Sequence, residues 1–204
     1  PSTTVHTRNS IGLVISDDDG ETFRRLYDGS ILDRDKLEPY YTGAVDVKYH
    51  NGQWLLWYTS GTEWKMIHGK PEIYYHIKYA TSTNGIDWQK KYISCIPPAG
   101  DYEATARPSV IISGNKYKMW YSKRWMINFR DNPKEQYRAG YAESNDGIHW
   151  IRLDEEVGID VSEDGWDSEA IAYPYVIELE DRYLMFYNGN GFGKTGIGYA
   201  EAKK

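Results

Sequence analysis

The sequence contains a single cysteine, Cys95, so no internal disulfide can form and a disulfide-stabilised secreted module is excluded. It has no apolar run approaching the roughly 20 residues of a membrane-spanning helix, and its first residues do not have the form of a signal peptide. It also lacks a basic run, and its net charge of −6 disfavours a phosphate backbone as a partner. We therefore expect neither a membrane nor a nucleic-acid partner, and a cytoplasmic location by default.

Phenylalanine is scarce, with 4 residues, whereas the chain has 19 tyrosines and 8 tryptophans. Such rings carry a polar group and suit both half-exposed strands and carbohydrate-binding clefts. A sustained helical period is also missing, and acidic-Gly turns between β-forming segments indicate an almost all-β chain. Residues 1–204 are expected to form one domain, because repeat units without cores of their own must share one.

One stretch of sequence occurs twice, as Glu103-Ala-Thr-Ala-Arg107-Pro108-Ser-Val-Ile and as Glu169-Ala-Ile-Ala-Tyr173-Pro-Tyr-Val-Ile. Each copy is followed by a polar turn, an aromatic strand and a strand that contains Gly-Tyr-Ala-Glu. The earlier segment 43–58 has the same order of inner strand, turn and aromatic strand. These copies define an internal repeat of four strands with a period of about 60 residues.

Four-stranded antiparallel units repeated around an axis form a β-propeller. We therefore predict an all-β fold, a β-propeller built of four-stranded antiparallel blades. The strands account for about three and a half blades, because the chain opens at a third strand and also ends at one. This number cannot close a ring, so we expect a missing N-terminal segment or a second chain to complete it.

One face of the predicted propeller carries the long connections, 61–74, 123–137 and 189–194, together with the start of every inner strand. The opposite face has short turns such as Ser82 to Gly85 and Ser144 to Gly147, which we interpret as structural. Long loops that carry aromatic and charged residues are typical of functional surfaces. We therefore predict the binding site on the first face.

The order of an inner strand with Pro108, an aromatic strand ending Trp-Tyr-Ser122, a Gly-Tyr-Ala strand and Ser144-Asn-Asp-Gly-Ile-His-Trp150 resembles a known family. Over residues 11–204 it is similar to the five-bladed propellers of the arabinanase, levansucrase and invertase type of glycoside hydrolases. Within that superfamily it most resembles an uncharacterised branch found with bacterial surface-polysaccharide genes. The resemblance implies five blades, of which the N-terminal ones are absent from this sequence, and a carbohydrate ligand.

Candidate catalytic residues are the two carboxylates that open the repeated stretch, Glu103 and Glu169, with Asp46 near the start of another inner strand as a third. Glycoside hydrolysis needs two carboxylates on either side of the bond. The resembling family places its acids one or two residues before the proline, where this chain has Arg107 and Tyr173. A structural role therefore stays open, in which the glutamates begin strands or Glu103 pairs with Arg107.

Candidate substrate-binding residues surround these carboxylates on the same face. Arg107 can hold a carboxylated or phosphorylated ligand, and flat rings can stack on sugars. His76 can hydrogen-bond a ligand, but it has no second histidine or cysteine at ligand spacing, so we expect no metal and no cofactor. The full set of predicted binding residues is Arg107, Tyr173, Trp64, Arg124, Trp125, Asp167, Asn188, Asn190 and His76.

Three functions follow from this pattern. The first is a glycan-active, glycoside hydrolase-like enzyme that uses paired carboxylates in an axial pocket. The alternative is a non-catalytic carbohydrate-binding propeller, which the departures from the family's acid positions favour. The third is a sialidase-like enzyme, which needs three arginines, and Arg107, Arg124 and Arg130 are placed near the predicted face.

Overall fold

The computed structural model describes residues 8–129 and 131–204, which form four antiparallel sheets in which sequential strands are neighbours. We call the sheets blades 1 to 4 in chain order. Blade 1 has two strands, β1 (Val14–Ile15) and β2 (Arg24–Arg25). Blade 2 is formed by β3 (Tyr41–His50), β4 (Gln53–Ile67), β5 (Lys70–Ser82) and β6 (Gln89–Ile96).

Blade 3 is formed by β7 (Glu103–Ser113), β8 (Lys116–Trp125), β9 (Arg138–Ser144) and β10 (Trp150–Arg152). Blade 4 has three strands, β11 (Ala172–Glu178), β12 (Arg182–Asn188) and β13 (Ile197–Lys203). Helical structure in the described residues is limited to the 3-10 turns Pro133–Glu135 and Asp154–Glu156 and the short turn Asn190–Gly193. The all-β, propeller-like fold built of four-stranded antiparallel sheets is confirmed.

The short turns between the third and fourth strands share one hydrogen-bond pattern. In blade 3 the Ser144 hydroxyl donates to Asp146 Oδ1 at 3.0 Å and accepts the Gly147 N–H at 2.9 Å. In blade 2 Ser82 makes the same two contacts with Asn84 and Gly85. These short polar side chains satisfy their own turn, as the sequence predicts for a structural turn.

Each inner strand contains a bulge at the repeat-equivalent position. The bulged residues are Ala44, Arg107 and Tyr173, with φ of 47°, 55° and 59°. Left-handed backbone at a residue other than glycine costs of order 1 kcal/mol and persists only where the surroundings hold it. A bulge also redirects the side chains of its strand.

The preceding blade holds two of these bulges in place. The N–H of Arg107 donates to Thr59 Oγ1 at 3.2 Å, and the N–H of Tyr173 donates to Ser122 Oγ at 2.9 Å. Thr59 and Ser122 follow the Trp-Tyr pair of the repeated aromatic strand at equivalent positions. The short hydroxyl residue in each Trp-Tyr-Ser/Thr motif therefore sets the bulge of the next blade.

A second contact joins the inner strands directly. The N–H of Val110 donates to Asp46 Oδ2, and the N–H of Val176 donates to Ser109 Oγ at 2.8 Å. Asp46 and Ser109 occupy the same repeat position, one per blade. These bonds fix the spacing of neighbouring inner strands, because an unpaired buried N–H would be costly.

The blades share their cores through a row of side chains that crosses each sheet. In blade 3 the row is Ser109, Trp120 and Tyr141, in register across β7, β8 and β9, and Trp120 packs on Tyr183 of blade 4 with ring centroids 5.7 Å apart. In blade 2 Trp57 is fully buried and donates to the Gly147 carbonyl of blade 3 at 2.7 Å. Each blade thus covers the tryptophan of the one before it.

Blade 4 has the same row, but it is exposed. Tyr175, Phe186 and Tyr199 are in register across β11, β12 and β13, and they are 54%, 39% and 60% exposed. The equivalent Trp120 is 8% exposed. Within the described residues, no blade covers this last face.

The connection predicted over 61–74 is not a loop. β4 and β5 continue as a hairpin in which Glu63 pairs with Tyr74 and Ile67 with Lys70. The hairpin leans on blade 3, where Lys65 Nζ donates to the Asp101 carbonyl at 3.3 Å. Two paired strands can project further than an irregular loop, because their backbone groups satisfy each other.

His76 lies inside blade 2, facing the outer strand. Its Nδ1 is 2.5 Å from Ser94 Oγ on β6. Burial, together with the nearby Lys78 ammonium, lowers the pKa of His76 to about 4. The imidazole is therefore neutral at physiological pH and supports the pairing of β5 with β6.

The exposed row of blade 4 predicts unequal effects of equivalent substitutions. Trp120→Ala should lower the free energy of unfolding by about 3–5 kcal/mol, because it empties a buried interface. Phe186→Ala should lower it by less than about 1 kcal/mol, because its ring is already in contact with water. Urea unfolding of the two variants measures the difference, and equal losses would contradict this arrangement of blades.

His76 predicts a loss of stability on acidification. An unfolded histidine has a pKa near 6.5, so below that pH the unfolded chain binds more protons than the folded one. At pH 8, well above 6.5, the ionisation of His76 should not affect stability. Between pH 8 and pH 5 the free energy of unfolding should fall by about 2 kcal/mol. Urea unfolding across this range should show that His76→Gln lacks this component while the exposed His149→Gln keeps it; identical slopes would refute the assignment.

Candidate functional site

A pocket of about 290 Å³ lies where the inner strands of blades 2, 3 and 4 begin. It is on the face that carries the long connections, and its lining is largely aromatic. The lining residues are Tyr41, Ala44, Thr59, Trp64, Pro71, Glu72, Ile73, Tyr75, Ala106, Arg107, Arg124, Phe129, Tyr137, Tyr173 and Phe192. Of the predicted site residues, Arg107, Tyr173, Trp64 and Arg124 are therefore brought together here.

The three bulged residues, Ala44, Arg107 and Tyr173, all line the pocket. The guanidinium carbon of Arg107 lies 4.7 Å from the centroid of the Tyr173 ring, so the two side chains stack across the junction of blades 3 and 4. This is a favourable cation–π geometry. The bulges thus place a cation and an aromatic ring side by side at the centre of the site.

Arg124 forms the buried floor of the pocket. Its guanidinium carbon lies 3.8 Å from the Phe129 ring centroid and 5.1 Å from that of Tyr75, and its side chain is almost entirely buried. The Nε–H donates to Tyr75 Oη at 2.8 Å, and Nη1 donates weakly to the Trp125 carbonyl at 3.4 Å. Such a buried cation needs these partners, because water does not reach most of it.

Three tyrosines of the pocket, Tyr41, Tyr137 and Tyr173, are neutral hydrogen-bonding groups. Burial raises the pKa of Tyr41, Tyr137 and Tyr173 above the usual range for a phenol. The hydroxyls of Tyr75 and Tyr137 lie 3.2 Å apart and share a hydrogen bond. At neutral pH the phenols of Tyr41, Tyr137 and Tyr173 offer donors and acceptors without adding negative charge.

Apolar surfaces close two sides of the pocket. Trp64, on the projecting hairpin, is 41% exposed, and Phe192, on the turn after β12, is 45% exposed. Phe192 makes edge contacts with Phe129 and Tyr137, with centroids 6.3 Å and 5.8 Å apart. Half-exposed rings around polar groups suit the binding of a sugar, which has an apolar face and a polar rim.

Glu72 is the carboxylate among the described residues that line the pocket, and the sequence analysis did not single it out. It is 7% exposed and lies opposite Lys65 in the projecting hairpin. Its charge acts on Arg124, where it helps to raise the pKa of that guanidinium against the effect of burial. Nothing in the repeat marks Glu72, because blade 2 alone has this hairpin extension among the described blades.

Glu103 does not line the pocket. It joins the inner strand of blade 3, β7, to the outer strand of the same blade, β10. Arg152 of β10 holds it in a two-pronged ion pair, Nη1 to Oε2 at 2.6 Å and Nη2 to Oε1 at 3.0 Å. The Ala99 N–H also donates to it. The pairing of Glu103 with Arg107, which the sequence left open, does not form, because the Arg107 side chain lies against Tyr173 instead.

Glu169 belongs to a separate polar cluster at the start of blade 4. Its Oε2 accepts a hydrogen bond from Gln136 Nε2 at 3.3 Å, and its N–H donates to Asn190 Oδ1 at 2.7 Å. Asp167 is buried and accepts the Tyr187 hydroxyl at 2.8 Å. Asn188 contacts the Phe192 carbonyl at 3.4 Å. These contacts hold the loops around β11 and β12 in place. Glu169, Asp167, Asn188 and Asn190 do not line the described pocket.

The remaining predicted residues also lie outside the pocket. Asp46 sits between two inner strands and pairs with Lys48 at 3.0 Å, Trp125 lies in register with Glu103, and His76 faces β6. Arg130, the third arginine of the sialidase-like hypothesis, lies outside the described residues. The catalytic roles of Glu103, Glu169 and Asp46 stay predictions.

Residues 8–129 and 131–204 lack two further features. No group of three or more histidine, cysteine, aspartate and glutamate side chains in this range is placed to hold a metal ion. No helix in the same range has the length and apolar character needed to cross a membrane.

Comparison with curated proteins gives two informative relatives, while no family model matches the chain. An uncharacterised protein of Mycobacterium tuberculosis (strain CDC 1551 / Oshkosh) is 35% identical over 198 residues, which is 97% of this chain and 62% of that protein. A β-1,2-mannobiose phosphorylase of Thermoanaerobacter sp. (strain X514) is 31% identical over 97 residues, 44% of this chain and 31% of that enzyme. The chain thus spans less than two thirds of the length of the curated relatives it matches.

Solved structures share the fold. A protein described as a glycoside hydrolase superposes with a TM-score of 0.68 at 19% identity, covering 89% of this chain and 53% of its own. A thermostable family-43 glycoside hydrolase gives a TM-score of 0.68 at 15% identity, covering 95% of this chain and 62% of its own. The structural neighbours are glycoside hydrolases of the propeller type, and at these identities the likeness establishes the fold that they have in common with this chain.

Proposed function

We propose that the pocket binds a carbohydrate and that the protein acts on glycosidic bonds in the manner of a glycoside hydrolase. The observation that carries this proposal is the convergence of Trp64, Tyr173 and Phe192 with the donors of Arg107 at the start of three inner strands. Rings offer the apolar face of a sugar a stacking surface, and the guanidinium offers its hydroxyls donors. The fold of the neighbouring glycoside hydrolases and the mannobiose phosphorylase relative support the same class of ligand.

Hydrolysis of a glycosidic bond needs two carboxylates. Within the proposal Glu72 is one, because it lines the pocket. The second carboxylate comes from a further blade of a five-bladed ring. That blade belongs either to a segment outside this sequence or to a second chain. The exposed row of Tyr175, Phe186 and Tyr199 supports a further blade, since the equivalent rows of blades 2 and 3 are covered.

The alternative is a propeller that binds a glycan without hydrolysing it. The engagement of Glu103 by Arg152 and of Glu169 by Gln136 favours this alternative, because neither carboxylate lines the pocket with Glu72. The two functions share the ligand and differ in the role of the acids. Binding and turnover must therefore be measured separately.

Binding is tested with two tryptophans of similar exposure. Trp64 lines the pocket and Trp125 does not, although they are 41% and 37% exposed. On an array of bacterial oligosaccharides, followed by calorimetry with the glycan bound best, Trp64→Ala should weaken binding by about 10-fold or more, which is at least about 1.4 kcal/mol. Trp125→Ala should leave binding within about 3-fold. Equal losses in the two variants would place the sugar elsewhere.

Turnover is tested with three carboxylate substitutions. Glu72→Gln should lower hydrolysis of the bound glycan by about 100-fold or more while binding persists, because the amide cannot exchange a proton. Glu103→Gln should instead lower the melting temperature, because it removes one of the two carboxylates that pair with the Arg152 guanidinium. A loss of turnover in Glu103→Gln and Glu169→Gln at unchanged melting temperature would restore the pair expected from the sequence. Full turnover in all three variants would contradict both assignments.

A further inference from the structure

Among the described residues Arg107 has no anionic or carbonyl partner, unlike the arginines of the third and fourth strands of blade 3 and of blade 4. Arg152 pairs with Glu103, Arg182 pairs with Glu201 at 3.0 Å, and Arg138 donates to the Glu169 carbonyl at 2.7 Å. The guanidinium of Arg107 makes no hydrogen bond or ion pair with any residue in the described ranges. Arg107 lines the pocket and is exposed, so its five N–H donors are available to a ligand.

The backbone of Arg107 is held so that this side chain enters the pocket. Its φ of 55° is uncommon for arginine, and the bond from its N–H to Thr59 maintains it. At the equivalent positions of the neighbouring blades the side chains are the methyl of Ala44 and the phenol of Tyr173. Among the described inner strands, that of blade 3 is therefore the one whose bulged residue places a charge at the centre of the site.

Positive charge exceeds negative charge in the described lining of the pocket. Two arginines, Arg107 and Arg124, stand against one carboxylate, Glu72. Glu72 acts on Arg124, and the phenol of Tyr75 accepts from Arg124. Tyr41, Tyr137 and Tyr173 of the lining have raised pKa values, so they stay neutral and do not compensate the second cation.

A neutral sugar bound in this pocket would leave the Arg107 guanidinium without a counter-charge. A carboxylate or phosphate group, by contrast, matches the planar fork of a guanidinium with two parallel hydrogen bonds. We propose that the pocket selects glycans that carry an anionic group, a uronate carboxylate or a phosphate, and that Arg107 holds this group. The inference rests on the proposed function, because it names the class of carbohydrate bound at the same site.

The test compares acidic and neutral glycans on one array. The full chain is applied to neutral oligosaccharides, to their uronate-containing counterparts and to phosphate-bearing counterparts, and binding constants follow by calorimetry. Acidic glycans should bind about 10-fold or more tightly than neutral ones, with an advantage that shrinks as salt rises. Competition by methyl glucuronide, glucose 1-phosphate and inorganic phosphate then distinguishes a carboxylate, a sugar phosphate and free phosphate as the anion recognised.

Two variants of Arg107 separate its charge from its backbone. Arg107→Asn suits the left-handed backbone and removes the charge, so acidic glycans should lose more affinity than neutral ones and the advantage of acidic glycans should disappear. Arg107→Lys keeps the charge without the fork and should retain part of the advantage. Arg182→Gln, which removes a surface ion pair on blade 4, serves as the control and should change nothing.

The outcomes distinguish this inference from the proposed function. Equal binding of acidic and neutral glycans that Trp64→Ala still abolishes would overturn the anionic class and leave the carbohydrate site standing. An acidic preference that survives in Arg107→Asn would also overturn the inference, because another cation would then hold the anion. No binding of any glycan, with or without binding of inorganic phosphate, would overturn the proposed function and the inference together.

Discussion

The contact on which this structure depends is the hydrogen bond from a bulged inner-strand N–H to the hydroxyl of the preceding blade. Thr59 and Ser122 each accept one such N–H, from Arg107 and Tyr173. The bond compensates part of the cost of left-handed backbone and buries a donor that would otherwise be unpaired. Because the bulge also turns its side chain inwards, one interaction both joins two blades and builds the centre of the pocket.

Burial of the aromatic rows is cooperative between neighbouring sheets. Trp57 and Trp120 lie under the next blade, whereas the equivalent Phe186 remains in contact with solvent. A single blade cannot cover both of its faces, so stability is shared along the repeat rather than held in each unit. The same row is thus core in two blades and surface in the third, depending on what lies beside it.

Charge is distributed differently at the rim and at the centre. At the rim, carboxylates are satisfied locally, as Glu103 is by Arg152 and Asp154 is by Lys123 at 2.9 Å. At the centre, Arg107 faces rings and open space. This division separates the residues that hold blades together from those available to a ligand. It explains why Glu103 and Glu169, which open equivalent stretches of the repeat, do not line the pocket.

The repeat, the turn residues and the aromatic strands determined the all-β, propeller-like fold, the order of the strands and the face that carries the pocket, because these are local patterns with a fixed period. They also predicted that Arg107, Tyr173, Trp64 and Arg124 belong to the binding site. Tertiary structure alone decided that Arg152, distant in sequence, pairs with Glu103. It also decided that the hairpin of blade 2 places Glu72 in the lining of the pocket. Neither could be read from the sequence, since the repeat equates positions within blades, whereas ion pairs and pocket walls depend on which side chains of different strands meet.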